Sequence, residues 1–585
     1  VQKGDNIMGY INESVIYNIY PLGFCGAPKE NDFKQEYRLD KIYGWIDHMK
    51  SMSVNALVFN PVFESSKHGY DTIDYKKIDC RLGDNESFKK ICKTLHDNGI
   101  RIMLDGVFNH VGRDFFAFKD VQQNRENSRY ASWFENLNFW NNSPYNDGFS
   151  YEGWAGYYDL VKLNLHNDEV VNYLLDCARF WIDEFDIDGL RLDAADCIDI
   201  EFFKKLKNVC KEKKSDFWLY GEITHGDYNH WANPDVLDSV TNYECYKGIY
   251  SSHNDHNYFE IAHTVRRLQN MGTLKLYNFV DNHDVERIYT KLTNKAHFAP
   301  VHVLLYTLPG VPSIYYGSEF GIEGRKEYGS DDSLRPALNI EDYKDSVKTN
   351  PCTALIAALG KVRQAVPALS YGSYDELMLT KRQFAYARDL DGTRVIVSVN
   401  NDDAPAGMHL AAGNCTAYIG ALSGEKVSVQ DGHINITQPA NSGEIWVPEG
   451  TDLDVKPVKV VTKTDSEAKT NTEDKAASET ATDAKGNKEA EPKIESKGIV
   501  TATESADAKK NTTDIEKNTT ANTPVDPETI TVDWSKSPES MTVPELQAAI
   551  LAKLAGNGPV DAQMKKTVVD NIWHDSLVNW LKSFR

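Results

Sequence analysis

Three carboxylates in this chain stand where apolar, strand-like runs give out: Asp193 after "GLRL", Glu222 after "WLYG" and Asp284 within "FVDNHD". Glycosidic bond cleavage needs such a set, with one ionised carboxylate beneath the sugar and one protonated carboxyl beside the leaving oxygen. Arg191 stands two residues before Asp193. Residues i and i+2 share a face of a strand, so the guanidinium and carboxylate point together while Leu190 and Leu192 point away. Taken alone, that spacing reads most plainly as a structural ion pair. Its functional reading is that the cation favours the ionised form of Asp193 and keeps it a nucleophile, while a less compensated Glu222 stays protonated. Asp284 is then left to bind ring hydroxyls as the sugar flattens. His110 and His283 end two further runs, and no cysteine or histidine cluster suited to zinc accompanies them.

For these groups to meet, the chain must bring the ends of distant runs together. Eight strand candidates alternate with amphipathic stretches: "SVIYNIY", "NALVFNP", "RIMLDGVF", "DGLRLDA", "FWLYGEI", "LDSVTNY", "LYNFVDN" and "PSIYYGS". Between them, "ESFKKICKTLHDNG" has helical spacing and an Asn-Gly stop. This alternation predicts an α/β fold, a closed parallel (β/α)8 TIM barrel over 1–110 and 164–367. A barrel gathers its chemistry at one mouth, so Tyr20, Asn60, His110, Asp193, Glu222, Tyr243, His283, Asp284 and Tyr316 are predicted to converge. That convergence outweighs the bland ion pair. Two stretches break the alternation. The aromatic-rich 111–163 is too long for a barrel loop and is predicted as a domain inserted after the third strand. The segment 368–450 alternates apolar and polar residues ("RVIVSVNN", "EIWVPEG") and is predicted as a C-terminal β-sandwich domain.

At these same residues the chain resembles the α-amylase family of glycoside hydrolases. "DGVFNH" (Asp105–His110), "GLRLDAAD" (Gly189–Asp196), "YGEI" (Tyr220–Ile223) and "FVDNHD" (Phe279–Asp284) match its four signature regions in order. "KLN" at Lys162–Asn164, "HGYDTIDY" at His68–Tyr75 and "GVPSIYYGSE" at Gly310–Glu319 support them, so that the resemblance covers roughly residues 10 to 450. It implies a retaining double displacement on internal α-1,4-glucosidic bonds of starch-like glucans and malto-oligosaccharides. Asp193 would be the nucleophile, Glu222 the general acid/base and Asp284 the transition-state stabiliser. Tyr70 would stack under the sugar, and His110, Arg191 and His283 would contact its hydroxyls. Asp331 and Arg335 in "GSDDSLRP" resemble the family's distal Asp/Arg pair, and Trp154 in "YEGWAGYYDL" is the candidate cleft aromatic of the insert. Asp105 is read instead as a barrel-end anchor near Arg191. The alternatives are a neopullulanase-like or glucan-transferring enzyme and, from another class, a non-catalytic α-glucan binder, against which the intact acid set speaks.

The chain departs from the family after Asp193. Asp196 and Cys197 stand where typical α-amylases carry Lys-His and neopullulanase-type enzymes Asn-Glu, and Thr224 replaces a frequent Trp. Asn109 matches a family calcium ligand; calcium prefers several hard oxygens. The resemblance therefore implies no cofactor for the chemistry, leaves a structural calcium ion open, and assigns no metal ligands. The first strand candidate begins at Ser14, leaving no room for the amino-terminal β-domain of cyclomaltodextrin-cleaving relatives, so an open cleft on a monomer is expected.

Bulk properties set the remaining bounds. The formal net charge of −22 over 585 residues argues against a nucleic-acid partner. No apolar run approaches the roughly 20 residues of a membrane span. Nine cysteines, an odd number without a CxxC, signal neither a disulfide framework nor a thiolate zinc site. No aromatic residue occurs between Trp446 and Trp534, and 451–533 is predicted as a disordered linker. Beyond it, 534–585 is predicted as a small helical module, with a capping box at Thr542 and Glu545, that could dock a partner. Linker and module suit a secreted, modular enzyme, and extracellular location is expected; the cysteines speak for the cytoplasm as the alternative. Val1 opens the chain without a signal-peptide pattern, so any leader is expected to have been removed or never included.

Overall fold

In a computed structural model of the chain, the described residues are 9–272, 275–327, 329–458, 532, 537 and 541–555. They belong to two compact units, 1–485 and 486–585. Eight parallel strands form the heart of the first: β1 (Ile16–Ile19), β2 (Ala56–Phe59), β3 (Arg101–Gly106), β4 (Gly189–Leu192), β5 (Trp218–Gly221), β6 (Ser239–Val240), β7 (Tyr277–Asn278) and β8 (Val311–Tyr315). Seven fall within their apolar runs, and β8 begins one residue ahead of its run, at Val311. They neighbour one another in the order β6-β5-β4-β3-β2-β1-β8-β7, and a parallel bridge from Thr241 to Tyr277 closes the ring.

Strand alternation then sorts side chains into two cores. Ala56, Val58, Met103, Trp218, Tyr220 and Val311 fill the barrel, whereas Leu57, Phe59, Leu104, Leu190, Leu192 and Leu219 pack outward under the helices. Gly189 opens β4 because a Cβ there would stand 2.6 Å from the Trp218 carbonyl oxygen and 2.9 Å from Met103. The helix Asn85–Asp97 starts at a capping box, with Asp84 accepting from the Ser87 N–H and the Ser87 hydroxyl accepting from the Asp84 N–H. It stops at Asn98, where Gly99 takes a left-handed φ of 75°.

Two excursions leave the mouth of the barrel. The expected insert holds a three-stranded antiparallel sheet, His110–Gly112 with Tyr157–Lys162 and Gly153–Trp154, beside the helix Phe116–Asn124. The second was not foreseen: after β2, Phe63–Ser65 pairs antiparallel with Thr72–Ile78, and the loop between them carries Tyr70. Buried Arg81 braces it, bonding Asp79 at 2.7 Å and the carbonyl oxygens of Pro28 and Lys67. The C-terminal β-rich segment forms a six-stranded antiparallel sheet spanning Ser373 to Pro448, together with the pair Ala406–Ala411 and His433–Gln438. Ile396, Met408, Leu410, Ile434, Ile436 and Trp446 lie in the core of that domain.

In the second unit the helix Val543–Ala555 is present, and Glu545 accepts from the Thr542 N–H at 2.7 Å, as the capping pattern predicts. Most of the expected linker, 459–531 and 533, and the amphipathic run near 572–584 lie outside the described residues. Among the described residues no helix is long and apolar enough to cross a membrane, and all nine cysteines are free thiols.

Candidate active site

Strand register builds the site. Leu192 on β4 pairs with Gly221 on β5 and Gly106 on β3, so Asp193 and Glu222 leave adjacent strands at one height, while Arg191 lies level with Asp105. The shared parity turns Asp105, Arg191, Asp193 and Glu222 toward the barrel axis. Arg191 is their common partner. Its Nη1 bonds Asp105 Oδ2 at 2.6 Å and Asp193 Oδ1 at 2.9 Å, and its Nη2 bonds Glu222 Oε2 at 2.7 Å. After Asp193 the chain turns with Ala194 at φ 43°, aiming the Ala194 N–H at Glu222 Oε2, 3.3 Å away. A residue with a Cβ adopts this left-handed conformation at a cost of about 1 kcal/mol.

Asp284 has its own cradle. Arg335 Nη2 meets Asp284 Oδ1 at 2.8 Å, and His283 Nε2 lies 3.0 Å from Asp284 Oδ2. Arg335 also donates to the His283 carbonyl oxygen at 3.0 Å and pairs with Asp331 at 2.9 Å. The Asp331/Arg335 pair is thus joined directly to Asp284 rather than standing apart from the acid set. Tyr70 connects the two halves of the mouth: its hydroxyl donates to Asp105 Oδ2 at 3.1 Å and lies 2.5 Å from His283 Nε2, with the two rings stacked at 5.6 Å. On the other side, buried His110 presents Nε2 3.8 Å from Asp193 Oδ2, and half-buried Trp154 leans on the His110 ring at 5.6 Å.

All ten predicted site residues therefore join one connected network. Four further contributors had no role assigned from the sequence: Tyr20, Asn60 and Tyr243, expected only to converge on the mouth, and Asn282, which was missed. Tyr243 donates to Glu222 Oε1 at 3.3 Å and accepts from Asn282 Nδ2 at 3.2 Å. Asn60 donates to Asp105 Oδ2 at 3.1 Å, and Tyr20 stacks on His283 at 5.9 Å beneath the Arg335 guanidinium. Tyr20, Asn60 and Tyr243 did end strand candidates, so position was their signal; Asn282 was hidden inside a motif matched for its neighbours.

The model of the α-amylase catalytic domain matches residues 19–361. The chain belongs to the α-amylase family. It is 33% identical over 420 residues to the cyclomaltodextrinase of Thermoanaerobacter pseudethanolicus, covering 67% of this chain and 71% of that one. Neopullulanase 2 of Thermoactinomyces vulgaris is 30% identical over 469 residues, 75% of this chain and 78% of that one. Among solved structures, the debranching enzyme of Nostoc punctiforme superposes with a TM-score of 0.64 at 27% identity, covering 75% of this chain and 98% of that one. The chain is a glycoside hydrolase acting on α-glucans.

The electrostatics of this α-amylase-type site correct one expectation. Arg191 does not serve Asp193 alone, because its two Nη atoms also hold Asp105 and Glu222. Burial raises the Asp193 carboxyl well above the usual range; Arg191 opposes this, while Glu222, Asp105 and Asp284 add to it. Burial is the largest cause, and three carboxylates sharing one guanidinium add to it, so the cluster retains a proton more readily than a lone Arg–Asp pair does. Glu222 is accordingly no less compensated than Asp193. For Asp284, burial pushes upward, but His283, Arg335 and Arg191 outweigh it and hold the carboxyl far below its usual range. Burial lowers His110 to about 3, so it faces Asp193 as a neutral ring.

The side chain of Asn109, the family-type calcium position, meets His110 Nδ1 at 3.1 Å. Among the described residues the one grouping of three acidic, His or Cys ligand atoms is Glu64, Asp79 and Cys80. There Lys77 and the Cys80 N–H already satisfy Glu64, and Arg81 satisfies Asp79.

Proposed function

We propose that this chain is a retaining α-glucan hydrolase of the neopullulanase and cyclomaltodextrinase kind. It would cleave α-1,4-glucosidic bonds in short and cyclic malto-oligosaccharides and tolerate α-1,6 branch points. This replaces the simple internal cleavage of starch that the motifs suggest. The chemistry rests on one observation: Asp193 and Glu222 leave adjacent strands level with each other and bind the two Nη atoms of one guanidinium. Such closeness suits a retaining enzyme, whose carboxyls stand about 5 Å apart, better than an inverting one, which leaves room for water between them. The substrate class is supported by the cyclomaltodextrinase, neopullulanase and debranching-enzyme relatives.

In the first step Asp193 attacks the anomeric carbon as the glycosidic C–O bond breaks, and Glu222 gives its proton to the leaving oxygen. The double displacement requires a starting form in which the cluster's proton is on Glu222 and Asp193 is ionised against Arg191. Asp284, kept charged by His283 and Arg335, accepts from ring hydroxyls as the sugar flattens. Tyr70 supplies the platform beneath the ring. In the second step Glu222 takes a proton from water, the water oxygen attacks the same carbon, and the bond to Asp193 breaks. Two inversions give net retention. No metal or cofactor is required for this chemistry.

The experiment is a product profile on β-cyclodextrin, pullulan and soluble starch, with the anomer released first read by NMR. Faster turnover of cyclodextrin than starch and initial α-anomers are expected. Inert cyclodextrin and pullulan beside rapid loss of starch viscosity would return the substrate reading to a plain amylase. Initial β-anomers would refute the double displacement, and chains longer than the substrate from maltotetraose would mark a transferase.

A further inference from the structure

We infer that the inserted domain carries a second α-glucan binding surface, built around Trp140 and continuous with the wall of the catalytic mouth. Trp140 is 99% exposed, whereas its neighbour Phe139 packs against the core. Isolated apolar residues on a surface are ordinary, but an indole left wholly in water on a braced loop is not. The bracing is extensive. Asn138 and Ser150 exchange both backbone hydrogen bonds, at 2.8 and 3.0 Å, and the Asn138 side chain accepts from the Trp140 N–H at 3.0 Å. Arg125 donates to the carbonyl oxygens of Phe139 and Gly148 at 3.2 and 2.6 Å, and Asn142 Oδ1 accepts from the Gly148 N–H at 2.8 Å. The loop therefore presents its tryptophan in a fixed setting.

Directly after Trp140, Asn141 and Asn142 line an open cavity of about 570 Å³, whose wall also includes Asn136, Ser150, Glu152 and Tyr158. Amides, a hydroxyl, a phenol and a carboxylate offer donors and acceptors at many angles, the requirement of a neutral polyol. The carboxylate of Glu152 is ion-paired with Lys162 at 2.6 Å and bonded by Asn136 at 2.5 Å, so this wall offers a charged occupant no unpaired partner. The cavity is continuous with the site. Gly153 and Ala155 line it, and Trp154 between them leans on His110 beside Asp193. A glucan leaving the mouth over Trp154 thus meets this cavity next. An aromatic face for the apolar side of a pyranose, next to amides for its hydroxyls, suits a further stretch of the same glucan. The inference rests on the proposed α-glucan activity.

The test is affinity electrophoresis of the full chain in amylopectin-containing native gels, using Asp193→Asn to prevent digestion, with and without Trp140→Ala. The tryptophan variant should lose most of the retardation, its dissociation constant rising at least about fivefold, and Trp140→Phe should restore part of it. Thermal melts confirm that both variants are folded. Retardation equal to that of the Asp193→Asn parent, or a parent that amylopectin does not retard, overturns the second surface. Maltotriose turnover by the unmodified enzyme tests the underlying activity separately. A chain that cuts maltotriose yet shows no Trp140-dependent retardation sinks this surface alone.

Discussion

Replacing Asp105 by Asn probes the shared arginine most directly. Asp105 meets Arg191 Nη1 through both oxygens, at 2.6 and 2.9 Å, and Asp193 Oδ1 sits on the same nitrogen at 2.9 Å. Oxygens held on one nitrogen at such lengths lie within about 5.5 Å, and two unit charges about 5 Å apart at an effective dielectric of about 20 repel by about 3 kcal/mol. The Asp105 charge raises the pH at which Asp193 ionises. Removing that charge should lower it. The acid limb of the kcat/KM profile on maltotriose should therefore move to lower pH. A cost in stability accompanies it, because Asn60 and Tyr70 both donate to Asp105 Oδ2 and Arg191 loses a partner. Breaking a buried pair costs about 3 to 5 kcal/mol, and the two carboxylates left on Arg191 place this case near the lower figure. A melt supplies that number and shows that the variant is folded. A folded Asp105→Asn enzyme with an unmoved acid limb would refute the idea that one guanidinium is divided among three carboxylates.

Other outcomes follow from the same geometry. Arg335→Met releases Asp284, Asp331 and the His283 carbonyl oxygen together, and should lower kcat/KM by about a hundredfold with a smaller loss in melting temperature; near-normal turnover would remove Arg335 from the site. Ala194→Gly, at φ 43°, should leave stability unchanged or raise it by a few tenths of a kcal/mol, whereas Ala194→Val should lose at least about 1 kcal/mol in urea unfolding. Burial lowers His253 to about 3 and His297 and His302 to about 4, from an ordinary 6.5. Their folded values lie below the unfolded one, so their contribution is fully present above pH 6.5 and is lost as pH falls toward 4. At pH 5 each should have given up about 2 kcal/mol. Urea unfolding across that window should therefore show a falling midpoint, and His302→Phe should flatten the fall.

Local pattern was enough to place the eight strands, the insert, the C-terminal β domain and the three carboxylates that gather at the barrel mouth. Strand period and strand ends are short-range properties, and a barrel converts strand ends into one mouth. The face shared by Arg191 and Asp193 follows from their spacing by two alone. What local pattern could not convey was how charge is divided. Asp105 and Glu222 reach Arg191 only because β3 and β5 flank β4 in a fixed register, and register is a property of the assembled sheet. The same holds for Arg335, whose grip on Asp284 spans 51 residues of chain.

The sequence by itself thus determined which carboxylates stand at strand ends and which way they point, since both depend on neighbours two or three positions away. Only the tertiary structure decided who balances them. It drew Asp193 upward and Asp284 downward although both are aspartates at strand ends, because the field at a carboxyl sums over every charge and every lost water around it, wherever those charges stand in the chain.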